Sequence, residues 1–283
     1  IRLYAAWGVH YIKCDDSSRP YGDVQQAEIE ALRKAIDDAE LRLFYQPQFR
    51  LRDGALIGVE ALVRWPAAQP EHRSPSVFIP VAEMSGLIEP LGIWVLNEAC
   101  RQAAQWRDHG HDFGQVGVNL SCRQLGSPRL AEQVRNALER YKLPGSLLEF
   151  EITESMVLQE GGIAHTNIQA FAELGIGFAI DDFGTGYSSL AYLRSFDVST
   201  LKIDRSFLID IANNEADQAI ASSIIELARN LKLKVVAEGV ETQEQLEQIF
   251  SRGCYTIQGY YFAKPMTAAE FEQYLNVQLK SIC

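Results

Sequence analysis

The sequence holds no CxxC pair, no apolar run near the roughly 18 residues of a membrane span, and no signal-peptide pattern at its start. Its five cysteines, Cys14, Cys100, Cys122, Cys254 and Cys283, are scattered and odd in number, which argues against a disulfide framework or a cysteine zinc site. Basic residues are scarce relative to acidic ones, 26 against 37. The resulting formal charge of -11 leaves no electrostatic footprint for long DNA or RNA, so an anionic ligand needs a local device, bound metal or an aimed arginine. These absences describe a soluble segment of a reducing cytoplasm with no membrane contact of its own. The chain opens on Ile1 rather than Met, which reads as a piece of a longer protein.

What is present suits one large core: 283 residues, 47% hydrophobic, the size of a single α/β barrel. Residues 1–24, with the polar stretch CDDSSRPYGD, read as a linker or the remnant of an upstream region, and 25–283 as one barrel domain. A first helix is expected from about Gln25 to Ala39, with Ile29, Leu32 and Ile36 at helical spacing. Eight apolar segments of strand length follow: LRLFYQPQF, ALIGVEALVRW, VGVNLS, LLEFEITE, GFAIDDFG, TLKIDR, KVVAEGV and YTIQGYYF. Helical patterns lie between most of them, and the alternation predicts a (β/α)8 TIM-like barrel. Only RLRDGA separates the first two segments, too short for a crossover, and Asp53-Gly54 is a hairpin pair, so the first strand is expected to be antiparallel. Thr242 and the pair Thr267/Glu270 read as helix caps.

Alternate strand residues share a face. Glu60, Asn119, Glu151, Asp181, Lys202, Glu238 and Gln258 therefore give each of the seven parallel strands one polar side chain near its C-terminal end, where barrels of this kind carry their active sites. Glu60, Glu151, Asp181, Asp182, Asp204 and Glu238 are more carboxylates than Lys202 alone neutralises, and divalent metal resolves the excess. An all-oxygen set selects Mg²⁺ or Mn²⁺ over zinc, and none of the five histidines lies at these strand ends. Each residue also has a plainer reading. A carboxylate at a strand end is ordinarily solvated or a cap, Asp181-Asp182 fits a turn, Lys202 fits a counter-ion of Asp204, Gln258 fits barrel hydrogen bonding and Arg64 fits a salt bridge. Recurrence on seven successive strands favours the metal site.

The motifs YQPQ, EALVRW, FIPVAEMSGLI, NLS, EITE, DDFGTGYSSL, LKIDRSF, AEGVE and QGYYFAKPM stand in one order from about Ala39 to Leu275. In that order and spacing the chain resembles the EAL family of cyclic di-GMP phosphodiesterases. The resemblance implies that Glu60, Asn119, Glu151 and Asp181 bind one ion, with Asp181 bridging to a second held by Asp182 in the neighbourhood of Asp204. It further implies that Lys202, Glu238 and Gln258 hold or activate the attacking water, that Glu154 steadies the DDFGTGYSSL loop, that Gln46, Leu62 and Arg64 touch the dinucleotide, and that Glu241, which completes AEGVE, supports the site from behind. A homodimer is implied as well. Residues 66–77, PAAQPEHRSPSV, depart from the family's usual Gly-containing turn, which implies a differently shaped entrance.

Two ions that share a water lower its pKa and stabilise charge on phosphorus oxygens, which suits hydrolysis of cyclic di-GMP to linear 5′-pGpG. Neighbouring carboxylates keep Lys202 charged, so it is expected to orient the water rather than act as base. Ca²⁺, larger and looser in geometry, is expected to permit binding and inhibit turnover. The rival readings are a receptor that binds cyclic di-GMP without hydrolysing it and a hydrolase of another phosphodiester.

Overall fold

A computed structural model describes residues 21–157, 162–185 and 198–282 of the chain. The first helix runs Tyr21–Asp37, four residues ahead of the expected start, and buries Leu32 and Ala35. Strands β1 (Arg42–Arg50) and β2 (Ala55–Arg64) form the antiparallel hairpin that the short connection dictates, with Gln46 opposite Glu60. Its turn needs glycine: Gly54 sits at φ 69°, and the Asp53 carboxylate accepts from the Ala55 amide and pairs with Arg50 at 2.7 Å.

From β2 the strands run parallel: β3 (Gln115–Asn119), β4 (Leu148–Thr153), β5 (Gly177–Phe183), β6 (Thr200–Ile203), β7 (Lys234–Glu238) and β8 (Thr256–Gln258). β1 closes the ring by pairing antiparallel with both β2 and β8, and the short β9 (Met266–Thr267) pairs with β1 beside β8. The fold is the eight-stranded TIM-like barrel with an antiparallel first strand. Closure leaves each of the eight barrel strands paired on both sides, which removes the exposed edges of an open sheet.

Helices such as Ile88–Asp108, Glu215–Leu231 and Ala268–Ile282 cover the outside. The helix Gln243–Ser251 opens on a capping box in which Thr242 and Gln245 bond each other's backbone amides, and Thr267 and Glu270 do the same before Ala268. The strands' outward residues, among them Phe150, Phe178 and Ile257, are sealed beneath these helices at 0–1% exposure. Burial of such side chains contributes roughly 1.5–3 kcal/mol each and holds the ring shut. Among the described residues no helix is long and apolar enough to cross a membrane.

Candidate active site

The inward faces of the strands build the site. Glu60 on β2, Glu151 on β4, Asp181 on β5 and Glu238 on β7 converge on Lys202 of β6, whose side chain is 1% exposed. Its Nζ lies 2.5 Å from Glu151 Oε2, 2.6 Å from Glu238 Oε1, 3.4 Å from Asp181 Oδ1 and 3.7 Å from Glu60 Oε2. Asp204 is not among these partners, so the plain reading of Lys202 as its counter-ion is corrected. The reason is the end of β6 after Ile203: Asp204 caps the short 3-10 turn Arg205–Phe207 and accepts from the Ser206 amide at 3.0 Å and from the Ser206 hydroxyl.

Glu60 is held from two sides. Asn119 Nδ2 donates to its Oε1 at 2.7 Å, and Gln258 Nε2 to its Oε2 at 2.5 Å. Gln258 also donates to Gln46 at 3.3 Å and accepts from Gln48 Nε2 at 2.9 Å. The plain role of Gln258, barrel hydrogen bonding, is thus present together with its contact to the carboxylate set. Gln48 was missed as a member of this network. Its signal was available, because it shares a strand face with Gln46 in YQPQF.

Asp181 and Asp182 lie within β5 rather than in a turn, and the reason that both enter the site is a bulge. Register shifts between Ile180 and Phe183, and Asp182 takes φ 52°, a costly conformation for a residue other than glycine. Strict alternation would have sent one of the two outward. Thr185 Oγ1 holds the bulge by donating to the Asp182 carbonyl at 2.8 Å, and Gly184 donates its amide to Glu154 Oε2 at 3.1 Å. The remainder of the DDFGTGYSSL motif from Gly186 on lies outside the described residues.

Electrostatically the set is strained. Burial raises the Glu151 pKa well above the ordinary range, with Glu60, Asp181 and Glu238 adding to the rise against Lys202. Burial likewise pushes Asp182 up to about 9, helped by Asp181, Asp204 and Glu238, and Glu238 up to about 8, helped by Asp181. Asp181 is raised too, by burial first. Glu60 goes the other way: Lys202 and the Gln258 and Asn119 hydrogen bonds outweigh its burial. For Lys202, burial is overcome by four carboxylates, so its pKa stands well above 10.5 and it stays a cation.

Among the described residues, two buried oxygens of the set, Glu151 Oε1 and Asp182 Oδ2, have neither a hydrogen-bond nor an ion-pair partner, whereas Glu238 Oε1 has Lys202. Glu151 is accommodated by a glycine: a Cβ on Gly117 of β3 would meet Glu151 Oε1 at 2.2 Å. Buried carboxylate oxygens without donors are costly, and an all-oxygen set that exceeds its one cation fits a hard divalent ion.

Above this set opens a cleft of about 520 Å³, a size that suits a small ligand. Gln46, Glu60, Leu62, Arg64, Asn119, Asp181, Asp182, Glu238 and Gln258 line it, whereas Glu151 and Lys202 sit beneath them and Asp204 and Glu154 stand apart from its wall. Arg64 donates to the Val63 carbonyl at 2.9 Å, and no ion pair of Arg64 is found among the described residues, contrary to its plain reading. Glu241 pairs with Arg205 at 2.9 Å, and both reach the cleft, as does Tyr260. Ser74, Pro75 and Ser76 of the atypical 66–77 segment form one wall.

Residues 29–265 match the EAL domain family. The chain is 45% identical over 239 residues to the bifunctional diguanylate cyclase/cyclic di-GMP phosphodiesterase MucR of Pseudomonas aeruginosa, covering 84% of this chain and 35% of the relative. It is 43% identical over 247 residues to the cyclic di-GMP phosphodiesterase NbdA of the same organism, covering 87% and 32%. The chain thus spans about a third of the length of these curated relatives. Among solved structures, a MucR phosphodiesterase complex with c-di-GMP superposes with TM-score 0.82 at 44% identity, over 87% of this chain and 99% of that one.

Proposed function

The chain belongs to the EAL domain family, and from that membership we propose that it hydrolyses cyclic di-GMP to linear 5′-pGpG with two divalent ions, Mg²⁺ or Mn²⁺. The observation that carries the reading is the buried carboxylate set around Lys202 with its two partnerless oxygens. MucR and NbdA are named for this activity, and the MucR structure is a c-di-GMP complex. Residues 25–283 belong to the catalytic barrel of the proposal together with 21–24, which the first helix takes from the expected linker; the rest of that linker, 1–20, lies outside the described residues.

Glu60, Asn119, Glu151 and Asp181 would hold one ion, with Asp182 and Asp204 at the second. Asn119 spends its amide nitrogen on Glu60, which leaves its carbonyl oxygen free to ligate. When bound, the ions supply charge neutralisation on the phosphoryl oxygens and a water of lowered pKa. The protein's own part is placement. Lys202, a cation here, fixes Glu151 and Glu238 and is read as a charged group that orients the water rather than as a base. Glu238 and Gln258, at the rim of the cleft, orient the attacking water, while Gln46, Leu62 and Arg64 meet the dinucleotide. Glu154 positions the loop after β5 through the Gly184 amide.

Chromatography of linear product in Mg²⁺, Mn²⁺, Ca²⁺ and chelator tests the proposal. Turnover is expected with Mg²⁺ or Mn²⁺ only, with Ca²⁺ supporting binding by calorimetry but not hydrolysis, since a small misplacement of a nucleophile costs about 10²-fold. Equal turnover in chelator would sink the metal mechanism. Binding without hydrolysis in Mg²⁺ or Mn²⁺ would make the domain a receptor, and cleavage of cyclic di-AMP would move the substrate class. A homodimer, read by sedimentation, and a cytoplasmic location complete the reading; the free thiols of Cys100, Cys122 and Cys254 are in keeping with the latter.

A further inference from the structure

The barrel's opposite end, where β3 begins, carries ligand-bearing side chains that this reaction does not use. Helix Ile88–Asp108 ends in a left-handed reversal at Gly110, φ 77°. The Gly110 amide bonds the Arg107 carbonyl at 2.9 Å and the His111 amide the Trp106 carbonyl at 3.0 Å, the paired bonds of a glycine-terminated helix. That reversal brings His109 and His111 beside one another, ring centroids 6.1 Å apart. Both face Glu272 of the C-terminal helix Ala268–Ile282: His109 Nδ1 is 2.6 Å and His111 Nε2 3.4 Å from Glu272 Oε1. One ligand atom from each of the three lies within 4.8 Å of the others.

The three are anchored from below. Trp106 packs on Phe271 at 4.8 Å and on Phe113 at 5.5 Å between centroids, and all three rings are buried. The ligand tips nevertheless meet solvent, His111 with 7% of its side chain exposed, Glu272 with 26% and His109 with 49%.

We infer that His109, His111 and Glu272 form a second metal site, for a borderline divalent ion such as Zn²⁺, that pins the C-terminal helix to the loop before β3. Two imidazoles and a carboxylate are the ligand set of zinc and copper, unlike the all-oxygen mouth of the barrel. Bonds of about 2.0–2.2 Å put tetrahedral ligand atoms roughly 3.3 Å apart. The His111–Glu272 separation is already there, and the His109–Glu272 hydrogen bond must open by less than about 1 Å, which the half-exposed His109 ring allows by rotation. Water completes the fourth position. The site's failure and that of the phosphodiesterase reading are separable, because neither uses the other's residues.

The test uses the full chain without a histidine tag, in excess Mg²⁺ to occupy oxygen sites. One equivalent of Cu²⁺ should give an electron paramagnetic resonance spectrum with nitrogen splitting from two imidazoles, and Zn²⁺ should bind by calorimetry and raise the Tm. His109→Ala and His111→Ala should each lose that splitting pattern, and Glu272→Gln should weaken Zn²⁺, each by at least the roughly 10–100-fold that even an outer partner of a metal ligand is worth. His72→Ala, at a separate surface histidine beside Glu28, should change nothing. Unaltered circular dichroism would certify that the variants fold. Absence of nitrogen splitting in the wild type, its persistence in the double histidine variant, or a Zn²⁺ affinity equal in all variants would overturn the site.

Discussion

Glu149 and Glu151 stand two residues apart on β4, face the same barrel interior, and are both buried, yet their surroundings are opposite. Glu149, toward the floor, accepts from Thr200 Oγ1 at 2.7 Å and Ser199 Oγ at 3.0 Å, neutral donors that leave Oε1 satisfied. Glu151, one layer up, has a cation at 2.5 Å, three further carboxylates sharing that cation, and a second oxygen with no partner among the described residues. The floor layer is built to be stable alone and the upper layer to be completed by something else. A buried acid by itself therefore says little; what distinguishes function from structure here is whether its lone pairs are already used.

Lys202→Met should break the comparison most severely. It leaves Glu60, Glu151, Asp181 and Glu238 buried without their common cation, and loss of one partner of a buried pair costs about 3–5 kcal/mol. Urea unfolding in chelator measures this, and partial recovery in Mg²⁺ would show that metal substitutes for the lost charge. Wild-type stability in chelator would mean that proton uptake by the crowded carboxylates replaces the lysine's charge in full and that the cation adds nothing to stability.

Glu151→Gln comes next and acts on the rate. It removes a charge whose proton affinity burial has already raised, so the protein without metal should be no less stable. Metal affinity and hydrolysis should fall together by about 10²-fold or more, on the scale of a lost metal partner. Calorimetry with Mg²⁺ and product chromatography check both; an active variant would take Glu151 out of the ligand set.

The same crowding predicts a pH dependence. Glu238 rises from an ordinary 4.5 to about 8 and Asp182 from 3.8 to about 9, so between these limits the folded state holds protons that the unfolded chain has released. Stability in chelator is then fully present at acid pH and lost as pH climbs through that window. Bound Mg²⁺ favours the ionised forms and should flatten or reverse the slope. Identical slopes with and without Mg²⁺ would place the ion elsewhere.

Much of this architecture was legible in the residues. The eight apolar segments, the antiparallel first strand implied by Asp53-Gly54, and the inward polar residue toward the C-terminal end of each parallel strand all follow from period-two patterning and turn chemistry. Less was legible where the backbone leaves regular geometry or where partners are remote. The φ of Asp182 breaks the alternation that strand patterning relies on, so nothing local says that both aspartates face inward. Lys202 bonds four strands and spares Asp204, its neighbour in sequence, because only barrel closure brings Glu60 and Glu151 to it. The Gly117 cradle and the pairing of His109 and His111 with Glu272, more than 160 residues apart, are likewise products of the fold.

The smallest effect is expected from Glu149→Gln, the same chemical change as Glu151→Gln made two residues away. The amide oxygen of glutamine can accept from Ser199 and Thr200 where the carboxylate does, and Gly177, its partner on β5, places no side chain beside it. What is lost is the extra strength of a hydrogen bond to a charged acceptor, about 1 kcal/mol. What is gained is a pair of amide hydrogens that must find acceptors in a buried layer. Stability should therefore fall slightly while Mg²⁺ affinity and turnover stay unchanged, because no atom of Glu149 touches the carboxylate set. Urea unfolding and product chromatography on the two glutamine variants side by side would decide the matter. If Glu149→Gln lost turnover to the extent that Glu151→Gln does, the two layers would be one electrostatic unit, and the division between a finished floor and an unfinished mouth would fall.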